Sequence, residues 1–191
     1  MNQHCLATWL GALLGLLLLP AGSAHPARVI LLRHAEKPAD ESNPHLSEQG
    51  RQRAEALAHW LTTNPALTNG GAPSVLSASQ PTDHGHGQRA RETLEPAARQ
   101  VGLPVRTPFR SEDYRALARE VLDSESYEGK VVVICWVHEH LSGLAAALGV
   151  KPAPTAWNGN VYDRAWVVDW KTNQPTLRVV LQQLLPGDRN R

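Results

Sequence analysis

The sequence predicts a single α/β domain of three layers, with a largely parallel central sheet flanked by helices. Two runs, Arg28–Leu32 and Val131–Trp136, are continuously apolar and rich in β-branched residues, as strands buried on both faces are. Strand signals alternate with helical ones along the chain, the order that right-handed crossovers turn into a parallel sheet. The 191 residues suffice for one domain with a sizeable core, and neither an internal repeat nor an interdomain linker interrupts them.

Residues 1–24 are read as lying outside that domain. Leu10–Leu19 is an apolar run broken only by small residues, and Pro20–Ala24 supplies a breaker and the small residues that a signal peptidase reads. A secretory signal peptide cut after Ala24 is expected. The run is short for a membrane-spanning helix, so no stable membrane anchor is expected after cleavage. The mature domain, 25–191, would be secreted or periplasmic and would keep Cys135 alone, without an internal disulfide. The formal net charge of +1 gives no general electrostatic case for nucleic acid or an anionic membrane, so any preference for an anion must be local. Nothing in the sequence fixes an oligomeric state.

The elements follow in order. After the first strand, Ala39–Leu46 is a polar loop. Ser47 is a good N-cap, and Ala54, Leu57, Ala58 and Leu61 then recur at helical spacing to about Thr63. Asn64-Pro65 ends that helix, and Leu67–Pro73 reads as a Gly/Pro/Asn-rich connection to a short strand, Ser74–Ala78. Arg89 opens a helix that Gly102 closes. Val105–Thr107 is a third strand, Glu112–Leu122 a helix, Val131–Trp136 the central strand, and Leu141–Leu148 a helix closed by Gly149. Tyr162–Trp170 and Thr176–Leu185 read as two late strands joined by a turn at Lys171–Gln174.

Three polar clusters follow the three central strands: Arg33-His34-Ala35-Glu36-Lys37, then Arg89 at a helix start after the second strand, then His138-Glu139-His140. Crossovers of one hand bring all three to the carboxyl edge of the sheet, where open α/β sheets bind ligands. Two histidines, two arginines and a lysine around one small volume suit an anion, phosphate above all. Arginine offers a planar fork of donors to phosphate oxygens, and a neutral imidazole beside it is a nucleophile for phosphorus.

In that order and spacing the motifs resemble the histidine phosphatase superfamily, whose fold is called phosphoglycerate mutase-like. Leu32-Arg33-His34-Ala35-Glu36-Lys37-Pro38 resembles its RHG-type signature, with Ala35 where glycine is usual. Arg89-Ala90-Arg91-Glu92-Thr93 is similar to its R-A-x-x-T helix start, and Trp136-Val137-His138 matches the position of its second histidine. Trp157 with Tyr162-Asp163 resembles a late segment of small exported members. The likeness runs from about Arg28 to Val180. It implies that 25–191 is a phosphatase domain with His34 as the nucleophile that forms a phosphohistidine. It implies that Arg33, Arg89 and His138 bind the phosphoryl oxygens, with Lys37 at the phosphate or the substrate. No cofactor and no metal are implied. The proton donor is Glu139 in one version, or an acid of the Glu112-Asp113 segment in the other. Glu36 is expected to pair with its neighbour Lys37, His140 to point to solvent or cap local structure, and Trp60, Trp157, Trp166 and Trp170 to serve packing.

The partner expected is a small-molecule or phosphorylated substrate. Two other functions are open to the same residues. The pairs His84-x-His86 and His138-x-His140 have the look of ligands in a metal-binding protein or metal-dependent hydrolase, and a non-catalytic phospholigand binder would keep the same pocket.

Overall fold

A computed structural model describes residues 25–40, 42–170 and 174–188. The proposed signal peptide lies outside the described residues, as does most of the turn expected at Lys171–Gln174. None of the described helices is long and apolar enough to cross a membrane.

Six strands form one sheet in the order β3-β2-β4-β1-β5-β6. They are β1 (Arg28–Arg33), β2 (Pro73–Ala78), β3 (Val105–Arg106), β4 (Val131–Trp136), β5 (Arg164–Trp170) and β6 (Pro175–Leu181). The first four are mutually parallel; β5 runs antiparallel to β1, and β6 antiparallel to β5. The helices are α1 (Glu48–Thr63), α2 (Pro65–Thr68), α3 (Gln88–Val101), α4 (Tyr114–Asp123) and α5 (His138–Ala147).

Alternation along β1 builds the two outer layers. Ile30 and Leu32 join Leu57, Leu61, Leu94 and Ala97, so α1 and α3 cover one face. Val29 and Leu31 join Leu117, Val121, Leu141 and Leu144, so α4 and α5 cover the other. The core residues of β1 and β4 are 0–1% exposed, which is why these strands read as unbroken apolar runs rather than as alternation. Trp157 and Trp166 pack with ring centroids 4.8 Å apart, and Trp60, on the buried face of α1, is 7% exposed. Trp170 is half-buried and stacks on His25 at 5.6 Å.

Several boundaries differ from the sequence reading. The Leu67–Pro73 connection begins inside a single helical turn, α2, which Asn64 caps by accepting from Ala66 N at 2.9 Å. Glu112 and Asp113 lie in a 3-10 turn, Ser111–Asp113, and α4 begins only at Tyr114. The last strand stops at Leu181: Gln182 N still donates to Asp163 O, 2.8 Å, in the same register, but Gln183 takes a left-handed φ of 52°. The helix after β4 starts at His138, three residues before the first apolar position that marks it in the sequence, so His138, Glu139 and His140 form its first turn.

Candidate active site

Register decides which polar residues meet. In the parallel pair β1 and β4, Arg33 lies opposite Trp136, and the next residue closes the pair, with His34 N donating to Trp136 O at 3.3 Å. His34 and the Val137-His138 step therefore leave the sheet side by side. On the other flank of β4, Ala78 of β2 lies opposite Cys135, and the chain runs on through 79–87 into α3.

His34 is 7% exposed. Its Nδ1 is 2.7 Å from the Ala35 carbonyl. A carbonyl only accepts, so Nδ1 carries the proton and Nε2 keeps its lone pair. Burial is the main reason that the imidazole is pushed down to about 4. Arg33, Arg89 and His138 push the same way, while the Ala35 carbonyl opposes them. His34 is thus a neutral base with a fixed tautomer at neutral pH. Ala35 N donates to Thr93 Oγ1 (2.9 Å), which donates in turn to Arg89 O (2.7 Å), so the backbone after His34 is tied to the first turns of α3.

A pocket of about 170 Å³ opens at His34, lined also by Ser42, His84, His86, Arg89 and Val137. Arg89 is held to the 43–46 loop by Nη2 to Asn43 O (2.8 Å) and Nε to His45 O (3.3 Å). Two helix N-termini border this pocket. Gly87, Arg89 and Ala90 line it from α3 and Val137 from α5, and neither helix has a side-chain hydrogen bond to its cap. Their end N–H groups and dipoles favour an anion there. Gly87 is required for the α3 approach. Its φ is 83°, and a Cβ would sit 2.3 Å from Gln80 O.

Arg33 is 4% exposed and sits beneath the 157–162 segment rather than open to solvent. Its Nη1 donates to Gly159 O and, at 3.4 Å, to Val161 O, while Nη2 donates to Tyr162 Oη at 3.0 Å. The guanidinium also stacks on the Tyr162 ring, 3.8 Å from its centroid. Its Nε is buried without a hydrogen-bond partner in the protein. Tyr162 in turn tilts against His34, with ring centroids 6.2 Å apart.

His138 Nδ1 pairs with Glu139 Oε2 at 3.1 Å. Burial first, then Arg33 and Lys37, push the imidazole below its usual value, and Glu139 opposes them. Gly159 lies over this ring. A Cβ there would come 2.8 Å from His138 Nε2. Of the three carboxylates considered for proton donation, Glu139 is the one paired with a site histidine. Glu112 is exposed and accepts from Ser111 Oγ at 3.1 Å, and Asp113 is exposed in the same 3-10 turn.

Two expectations are corrected. Glu36 pairs not with Lys37 but with Arg53 of α1, which holds both carboxylate oxygens through Nε (2.9 and 3.0 Å). His140 neither faces solvent freely nor caps; it is half-buried and stacks on Tyr114, ring centroids 5.1 Å apart. Arg91 is exposed and pairs with Glu95 at 3.1 Å, pointing away from the pocket that Arg89 lines. Among the described residues, no three His, Cys, Asp or Glu side chains converge as a metal site would require.

Sequence reasoning missed Tyr162 on Arg33 and the two bare helix N-termini. The second had a signal: Gly87 and Val137 stand where Ser, Thr, Asp or Asn would be favoured.

No protein-family model and no curated protein matches the chain. Solved structures do. One is a mycobacterial glucosyl-3-phosphoglycerate phosphatase complexed with VO3, 16% identical, covering 84% of this chain and 100% of that one, with a TM-score of 0.57. Another is the α-ribazole phosphatase of Shigella flexneri, 16% identical, covering 85% of this chain and 100% of that one, also with a TM-score of 0.57. The chain has the phosphoglycerate mutase-like α/β fold of these phosphatases.

Proposed function

We propose that the protein is a phosphatase that hydrolyses a phosphomonoester through a phosphohistidine on His34, and that it does so after export, in the periplasm or outside the cell. One observation carries the chemistry. A buried, neutral imidazole with a free Nε2 faces a pocket bordered by Arg89 and two uncapped helix N-termini. A cation-lined pocket lowers the repulsion between an anionic phosphoryl group and a nucleophile, and a neutral histidine is a competent one.

In this reading Nε2 of His34 attacks phosphorus, and the P–O bond to the leaving alcohol breaks. Glu139 gives that oxygen its proton. Water then attacks the phosphohistidine, returning a proton to Glu139 and freeing His34 and inorganic phosphate. Arg89, His138 and Arg33 meet the charge spread over the equatorial oxygens, with Arg33 using its unpartnered Nε. Lys37, whose charge acts on His138, adds a further cation. Arg33, Arg89 and Lys37 supply the positive charge, so no metal or other cofactor enters the step.

The direct test is turnover of an aryl phosphate by the purified protein in excess chelator. Turnover that persists supports the histidine mechanism. Turnover lost in chelator and restored by a divalent metal would favour a metal-dependent hydrolase, and phosphate binding without turnover a non-catalytic binder. Export rests on the Leu10–Leu19 run and the small residues to Ala24. N-terminal sequencing of the protein from its host should begin near His25, and a chain retaining Leu10–Leu19 would contradict it.

A further inference from the structure

Glu92 lies three residues along α3 from Arg89, on the same side of the helix. Arg89 lines the His34 pocket, whereas Glu92 lines a separate cleft of about 360 Å³ between α1 and α3. Its carboxylate closes on the 43–46 loop. Oε2 accepts from Leu46 N at 2.9 Å, and Oε1 accepts from Gln88 Nε2 at 2.8 Å and pairs with Nδ1 of the His45 ring. A carboxylate only accepts, so His45 Nδ1 carries the proton. Burial raises the Glu92 pKa, but the bonds from Gln88, His45 and Leu46 outweigh it and hold the carboxyl below its usual value. Glu92 is therefore charged at neutral pH.

The loop that Glu92 holds is the one that holds Arg89. The Asn43 carbonyl accepts from Arg89 Nη2 at 2.8 Å and the His45 carbonyl from Nε at 3.3 Å. Leu46 roots the loop, 3% exposed beside Ala35 and Ala54. Asn43 Oδ1 closes it on itself by accepting from His45 N at 3.0 Å. Pro44 presses it against the β2–α3 loop, where a Cβ on Gly85 would come 2.2 Å from Pro44 Cβ. Arginine has a long side chain with many rotamers, and its planar guanidinium offers donors in fixed directions. Two of its nitrogens bonded to a fixed loop therefore set the direction of the whole fork. Without the carboxylate, Leu46 N loses its acceptor and the His45 ring its partner, and the two carbonyls are no longer pinned from behind.

We propose that Glu92 is a positioning residue for phosphate binding: by clasping the 43–46 loop it fixes the two carbonyls that aim Arg89 into the His34 pocket. The inference rests on the phosphatase reading above. Glu92 touches neither the phosphoryl group nor the leaving group.

The sign of the effect separates this role from a plain charge effect. Removing a carboxylate near an anion site strengthens anion binding by Coulomb attraction alone. Removing a residue that aims a cation weakens it. A merely structural role changes thermal stability and leaves the affinity of the folded protein where it was.

The test is a double-mutant cycle on the full chain, reading the Kd of inorganic phosphate by titration calorimetry and kcat/KM for p-nitrophenyl phosphate. Glu92→Ala should weaken phosphate and lower kcat/KM by about tenfold or more, the scale for a small misplacement of a positioned group. In the Arg89→Ala background the same change should alter neither by more than about twofold, because the residue it positions is gone. Glu95→Ala removes the same charge from the same helix, where it pairs with Arg91, and should stay within about twofold of the unaltered protein. Glu92→Gln keeps one acceptor for Leu46 N, should show part of the loss, and carries the same cycle where Glu92→Ala does not fold. Phosphate bound as well or more tightly by the Glu92 variants would overturn the proposal. So would losses that add in full to that of Arg89→Ala, since Glu92 would then act elsewhere. Phosphate binding that follows the cycle in a protein without turnover would remove the phosphatase reading and leave the clasp on Arg89 standing. No phosphate binding by the unaltered protein would remove both.

Discussion

Arg53, one turn into α1, grips the carboxylate of Glu36, two residues past His34, with Nε and Nη2 at 2.8–3.0 Å. The same guanidinium donates from Nη2 to Asp188 Oδ1 at 2.7 Å and from Nη1 to Gln182 Oε1 at 3.1 Å. One buried cation therefore links the loop that carries the candidate nucleophile, α1 and the C-terminal segment. Its partners hold the guanidinium above its usual value against the opposing effect of burial. Truncating it leaves two carboxylates partly buried and unpaired. Arg53→Ala should cost roughly 3–5 kcal/mol, the scale for breaking one side of a buried ion network. Urea unfolding measures this, and a loss under about 1 kcal/mol would put the pair in the class of exposed bridges instead.

The network also shows where sequence reading stops. β1 and β4 were legible because each is a continuous apolar run, β2 as a short strand between a Gly/Pro/Asn-rich connection and a polar loop, and the polar residues after each strand announce one sheet edge. Those links are local. Arg53 meets Glu36, Gln182 and Asp188 across separations of 17, 129 and 135 residues, and no local pattern marks such a pairing. Tyr162 finds Arg33 across 129 residues for the same reason. The start of α5 was missed on different grounds. Helical periodicity is read from apolar positions, and the first turn, His138-Glu139-His140, has none. The 3-10 turn before α4 was absorbed into the helix because its two acids look like an ordinary first turn.

Arg33 and Arg89 bear unequal structural loads. Arg89 hangs on two loop carbonyls at the pocket, so Arg89→Ala should lower turnover by about two or more orders of magnitude and leave the melting temperature nearly unchanged. The family resemblance gives Arg33 the same role at the phosphate. The structure adds a second, since Arg33 is 4% exposed and ties down Gly159, Val161 and Tyr162. Arg33→Ala should lose both activity and thermal stability. Calorimetry beside steady-state kinetics on the two variants separates the cases. Near-normal turnover in Arg89→Ala would move the second phosphate contact to another cation.

The acid limb of the pH profile follows from His34. Its imidazole is held down to about 4 by burial, from 6.5 in the unfolded chain. Protonation removes the lone pair on Nε2, so activity falls only below the folded value. After allowance for the titration of the substrate phosphate and of the proton donor, kcat/KM should show no loss from neutrality to pH 5 and decline near pH 4. Stability runs the same way. Between the two values the unfolded chain binds a proton that the folded site refuses, so the contribution of this residue is lost as pH falls from 6.5 towards 4. An acid limb centred near 6.5 would mean that the essential base is not the buried His34.

The central claim is that His34 carries the phosphoryl group. Rapid quench with a phosphate-labelled substrate tests it most directly, followed by mapping of the labelled residue. The account predicts an acid-labile, base-stable phosphoenzyme on His34, absent in His34→Ala, formed slowly in His138→Ala, and largely unchanged in His140→Ala, whose ring stacks on Tyr114 away from the reaction. Label mapped to His138 or His140, or turnover retained in His34→Ala, would contradict it.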